Sequence, residues 1–103
     1  MIIQQYVHII FGEMESAVDK LMSIFPFHKI ATRVYFEDDL VVVVFSVTDL
    51  ENNKNSLSDQ VMFTTDFLKW IREPRQEIKF KFESMMRGIV REMLESGDEH
   101  DLP

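Results

Sequence analysis

The 103-residue chain has no cysteine. That single absence excludes disulfide scaffolds, thiolate metal sites and cysteine nucleophiles. Only three glycines occur, and none falls in the GxGxxG or GxxxxGKS spacing with which a loop cradles phosphate. No GxSxG elbow is present, so the strained serine nucleophile of many hydrolases has no counterpart here. Long apolar runs are lacking too. The most apolar stretch, Leu40 to Val47, has strand length, well short of the roughly 18–20 residues that cross a membrane. The first residues, Met1-Ile2-Ile3-Gln4-Gln5, carry neither a basic segment nor a small-residue cleavage site, and Asp101-Leu102-Pro103 is no lipidation motif. A cytoplasmic protein is therefore expected, and nothing points to a membrane.

Bases are scarce. There are 11 against 18 acids, which gives a formal charge of -7 and a sequence pI near 4.8. A wholly basic nucleic-acid binder is excluded. Hydrophobic residues make up 46% of the chain and charged residues 28%, which suits one globular core rather than wholesale disorder. The expected layout is a single α+β domain over residues 1–97 with an acidic tail over 98–103.

The hydrophobic pattern sets the expected elements. Residues 2–11, IIQQYVHIIF, are rich in β-branched and aromatic side chains and read as a strand ending at Gly12. Residues 13–25 change to helical spacing, with Pro26 as the stop. Phe27 to Phe36 and Leu40 to Thr48 read as a hairpin turning at Glu37-Asp38-Asp39. Its second strand, LVVVVFSVT, is apolar on both faces, as a central strand is. Residues 49–56 read as a loop, and 57–73 read as a helix that Pro74 breaks. The alternation Glu77-Ile78-Lys79-Phe80-Lys81-Phe82 predicts a strand, and 83–96 predict a last helix stopped at Gly97. The resulting order, βαββαβ plus a C-terminal helix, is that of the ferredoxin-like plait, a four-stranded antiparallel sheet. Lys29, Arg33, Lys79 and Lys81 fall on its expected edge strands. Many activities share that plait, so the order carries no function.

The candidate chemistry is sparse. His8, His28 and His100 form no HxH or HxxxH pair, and the acids lack the DxDxDG spacing of a calcium loop. No catalytic residue, metal ligand or cofactor site is assigned. Charge is unevenly placed. Residues 1–68 carry ten acids and four bases, residues 69–91 seven bases and three acids, and residues 92–103 five acids and no base. A basic band thus lies between two acidic regions. LVVVVFSV lacks the basic Gly-aromatic pattern of the RNA-recognition signature, and the acidic total repels phosphate. RNA binding, with Tyr6 and Tyr35 as stacking residues, is a minor alternative.

The leading expectation is a small non-enzymatic regulator or inhibitor of the immunity-protein or phage host-takeover type. It would dock a basic protein partner, even one that binds nucleic acid. The expected docking residues are Glu37, Asp38, Asp39, Asp49 and Glu51, with Phe63 and Trp70 as aromatic anchors. Two alternatives stand beside it. One is a small-molecule-sensing domain that dimerises through its sheet. The other is an enzyme using His8 or a carboxylate cluster on an open sheet face. A homodimer is compatible with either the open sheet face or the C-terminal helix.

Overall fold

A helix, not a strand, opens the chain: α1 runs Ile2–Ile24. The computed structural model describes residues 2–52 and 55–100, with the backbone alone at 2 and 96–100. Ile3, Ile10, Ala17 and Leu21 are all buried, at spacings of seven, seven and four that return to one helix face. The β-branched content of residues 2–11 suggests a strand, but burial along a continuous stripe outweighs the modest propensity cost. Gly12 lies inside α1 on its exposed side, so it does not end the element. Pro26 does, as the pattern predicts, and the Phe25 amide closes the last turn onto the Leu21 carbonyl at 2.8 Å.

The hairpin forms where the pattern sets it, as β1 His28–Glu37 and β2 Leu40–Asp49, paired in antiparallel register with Glu37 opposite Leu40. Asp38-Asp39 turns the chain with no residue at positive φ, which fits a turn lacking Asn or Gly. The expected helix over 57–73 is instead a third strand, β3 Ser56–Thr64, followed by a short helix, α2 Thr65–Trp70. Val61 and Phe63 point into the core while Ser56, Ser58, Gln60, Met62 and Thr64 are exposed. Leu57 and Val61 are four apart, a spacing that satisfies a helix and a strand equally. Thr64 then caps α2, its Oγ1 accepting from the Phe67 amide at 3.0 Å.

Pro74 begins a helix rather than breaking one. α3 spans Pro74–His100, with proline in the first turn, where its missing amide costs nothing. The Glu77 carboxylate accepts from the amides of Arg72 and Glu73, both at 2.9 Å, and so fixes the entry into α3. The expected fourth strand over 77–82 is therefore the start of this helix. Ile78 and Phe82, again four apart, are buried, while Phe80 between them is exposed. Gly97 does not stop α3, which continues to His100; residues 101–103 of the expected tail lie outside the described residues.

The chain order is α-β-β-β-α-α, with one three-stranded antiparallel sheet in the order β1-β2-β3. It is an α+β fold, but not the four-stranded ferredoxin-like plait. β2 is central, as its valines require, and its inward residues Val41, Val43, Phe45 and Val47 are buried. From α3, Phe82 meets Phe45 edge-on at 5.9 Å and Phe63 at 5.6 Å. Helices and sheet therefore share a single one-sided core.

Gly12→Ala tests the α1 assignment. A methyl at Gly12 would meet nothing within 4 Å, so a helical Gly12 predicts a gain of about 1 kcal/mol in chemical denaturation. An unchanged or lowered stability would contradict a Gly12 inside the helix with open space beside it.

Candidate functional site

The register defines the face of the sheet that the helices leave open. Opposed residues share a face, so five cross-strand rows follow along β2: Glu37–Leu40–Thr64, Tyr35–Val42–Met62, Arg33–Val44–Gln60, Ala31–Ser46–Ser58 and Lys29–Thr48–Ser56. The face is graded. It is apolar near the Asp38-Asp39 turn and rich in hydroxyls toward the other end. Thr48 and Ser56 lie hydroxyl to hydroxyl at 2.9 Å. A shallow cleft of about 390 Å³ lies on the β1 side, lined by Lys29, Arg33, Tyr35, Val44, Ser46 and Ser58 among others. The central-strand residues Val42, Val44, Ser46 and Thr48 are half-buried, and no described helix covers them.

Charge gives this face its character. Lys29 and Arg33 take part in neither of the ion pairs found among the described residues, which are Lys20–Glu83 and Lys79–Glu83. Two unneutralised cations therefore stand over a half-apolar cleft on a protein of net charge -7. Acids bracket them at both ends. Glu37, Asp38 and Asp39 are exposed at the β1–β2 turn, and Glu51 is exposed beyond the far end of β2. Ten residues of β2 separate the two acidic ends by about 30 Å. The two acidic clusters expected at opposite ends of the hairpin are thus separated by a cationic face.

The individual docking residues divide further. The Asp49 carboxylate accepts from the amides of Glu51 and Asn52 at 2.9 and 3.4 Å, so it holds the loop in an Asx turn. The Asp39 carbonyl accepts from the Thr65 amide at 3.0 Å, which ties the acidic turn to the start of α2. Phe63 is completely enclosed, so it belongs to the core and leaves the set of docking residues. Trp70 is 76% exposed at the end of α2 and is available to a partner. Sequence reading missed Lys29, Arg33, Tyr35 and Val44 as one surface, because only the pairing of β1 with β2 brings them together.

The remaining chemistry is confined. His8 is exposed on α1, not on the sheet, so the proposed enzyme centre on an open sheet face loses its histidine. Among the described residues no three His, Asp or Glu side chains converge to hold a metal ion. No described helix is long and apolar enough to cross a membrane. Among the described residues, Lys81 is the group with a clear electrostatic perturbation. Its ammonium donates to the Met62 carbonyl at 2.7 Å and lies 4.5 Å from the Phe67 ring and 5.3 Å from that of Phe63. Burial there lowers its pKa below the usual lysine value. The contact also occupies a carbonyl of the edge strand β3, which would otherwise be open to pairing.

Two measurements check these placements. Phe63→Ala is expected to cost about 3–5 kcal/mol in urea denaturation and Trp70→Ala to stay within about 0.5 kcal/mol; equal costs would contradict the division between core and surface. Lys81 is expected to titrate below the ordinary value of about 10.4 when followed by NMR. A lysine with a lowered folded pKa makes folding more favourable as pH rises from that value toward the unfolded one. Stability should therefore gain over that window relative to Lys81→Met, and a flat difference would contradict the burial of the ammonium.

No protein-family model, curated protein or solved structure matches the chain.

Proposed function

We propose that this chain is a non-enzymatic protein-binding module, a regulator or inhibitor, that docks its partner on the uncovered face of its sheet. The observation that carries the reading is the pairing of Lys29 and Arg33, without ionic partners among the described residues, with the half-buried Val42 and Val44 on a face that no described element covers. Apolar area left toward water costs about 25 cal/mol per Å², and a partner recovers that cost when it closes the face. The partner is a protein surface with an apolar ridge for Val42, Val44, Tyr35 and Met62 and a carboxylate for Arg33 and Lys29.

The acidic ends add direction to this docking. Along β2 the charge runs from the acids of the turn, through Arg33 and Lys29, to the acids past Asp49. A partner that is basic at both ends and acidic in the middle matches this pattern in one register only, because a shift sets like charges together. The expected basic character of the partner is thus kept at its ends. A second reading rests on the exposed Glu37-Asp38-Asp39 turn alone, which could hold a basic partner without the sheet face.

Quantitative capture from the native cell extract separates the two. The native chain is compared with Arg33→Glu, with Val44→Asp, and with a triple Glu37→Gln, Asp38→Asn, Asp39→Asn variant, with folding checked by circular dichroism. The sheet-face reading expects a stoichiometric protein partner to be lost, by about tenfold or more in affinity, with Arg33→Glu and Val44→Asp. Loss in the triple variant alone would establish the turn reading in its place. A partner retained by all three variants, or none captured by the native chain, would overturn both.

A further inference from the structure

A second surface lies on the opposite side of the molecule, in the groove between the end of α1 and the second half of α3. Its floor is apolar, with Ile24 50% and Leu94 60% exposed and Val90 packed beside the core. Its rim carries three cations, Lys20, Arg87 and Arg91, and one carboxylate, Glu83, and its volume is about 560 Å³. Lys20 is paired with Glu83 at 3.7 Å, and Arg87 donates to Ser84 at 3.2 Å. Arg91 makes no ion pair among the described residues. A cationic rim on an apolar floor fits an amphipathic segment that carries acids along its edge.

The chain itself supplies such a segment. After Arg91 it has no further base and five acids, Glu92, Glu95, Asp98, Glu99 and Asp101. α3 has 27 residues, about 40 Å of helix, and among the side chains described its last buried one is Met93, with Leu94 and Glu95 exposed after it. The helix continues to His100. α3 is therefore divided lengthwise by charge. From Lys79 to Arg91 it carries four bases and one acid, and from Glu92 onward only acids.

We infer that two copies of this chain associate through α3, packed antiparallel so that the acidic end of each helix lies along the cationic rim of the other's groove. A parallel arrangement would set like charges together, bases against bases before position 92 and acids against acids after it, whereas the antiparallel one sets the acidic half of each helix against the basic half of its partner. A two-fold axis near position 93 brings Leu94 close to Leu94 of the partner subunit, covering both exposed side chains. The same axis sets Arg91 opposite Glu95 of the partner subunit. The interface is isologous, so each charge contact occurs twice. The seam lies on the helical side of the fold, so both open sheet faces stay free and the dimer is bivalent, whatever those faces bind.

The test combines oligomeric state with geometry. In sedimentation equilibrium the native chain is expected to form a dimer that weakens with added salt. Arg91→Glu and Glu95→Arg are each expected to weaken it by about tenfold or more, and the double swap Arg91→Glu/Glu95→Arg to restore it. Helix content by circular dichroism separates loss of pairing from loss of fold. Because the chain has no cysteine, a single introduced one reports on direction. Under mild oxidation Leu94→Cys should cross-link two chains, while Phe80→Cys should not, since antiparallel packing sets its two copies about 40 Å apart. A monomer at all concentrations, a dimer indifferent to the charge swaps, or cross-linking at both positions would each overturn the inference.

Discussion

Phe82 stands between Phe45 and Phe63, and that contact holds the fold together. It joins the start of α3 to the middle of β2 and to the end of β3, with ring centroids 5.9 and 5.6 Å apart. Around it the inward row of β2, namely Val41, Val43, Phe45 and Val47, is covered on one face, by α1 toward β1 and by α3 toward β3. Three aromatic rings at these separations contribute through area and through favourable edge geometry. Because α1 lies at one end of the sequence and α3 at the other, the core joins the ends of the chain, and the hairpin forms its floor.

A sheet of three strands packed on one face has an unavoidable second face. β2 cannot be inward on both sides when both long helices occupy the same one, so the alternate residues Val42 and Val44 remain only half-buried. Natural sheets guard such surfaces with charge, and here Lys29 and Arg33 supply it on the β1 side. On the β3 side a helix does the work instead, since Lys81 reaches the Met62 carbonyl from α3. The two edges are therefore not equivalent. β3 has a backbone carbonyl held by α3, while β1 meets α1 through Phe36 against Phe11 at 6.3 Å and carries Lys29 and Arg33 on its open side.

How much of this was legible in the sequence depended on whether a segment's pattern was ambiguous. The hairpin read correctly because LVVVVFSVT admits no helical stripe and its turn acids are unmistakable. Pro26 read correctly for the same local reason. Residues 2–11 were misread from their β-branched content; two other failures involve a spacing of four, which a strand and a helix both satisfy. Leu57–Val61 suggested a helix and proved a strand; Ile78–Phe82 suggested a strand and proved a helix. What distinguished them was the residue two along. Phe63 continues the strand row inward, whereas Phe80 breaks it by facing solvent under Arg87, whose guanidinium lies 5.8 Å from the ring. Pro74 failed differently. It was read as a stop, although Glu77 three residues on is the acid that gathers the amides at a helix start. An open sheet face was expected from the sequence, but the residues that compose it were not, since they come from three strands and only their register unites them.

Screening sets the scale on which the charges of this molecule act. At physiological ionic strength it falls off over about 8 Å, while the acidic ends of the hairpin are about 30 Å apart. The net charge of -7 therefore does not describe any one contact. A partner approaching the middle of the sheet meets Arg33 before it meets the turn acids, and one approaching the α1–α3 groove meets Arg87 and Arg91 before the acids that follow them. Each surface is locally cationic within a protein that is acidic as a whole. The sequence total pointed to a basic partner because a sum discards position, and position is what the fold adds: strand pairing moves Lys29 and Arg33 between the acids, and helix continuity through Gly97 carries the last acids away from the bases that precede them.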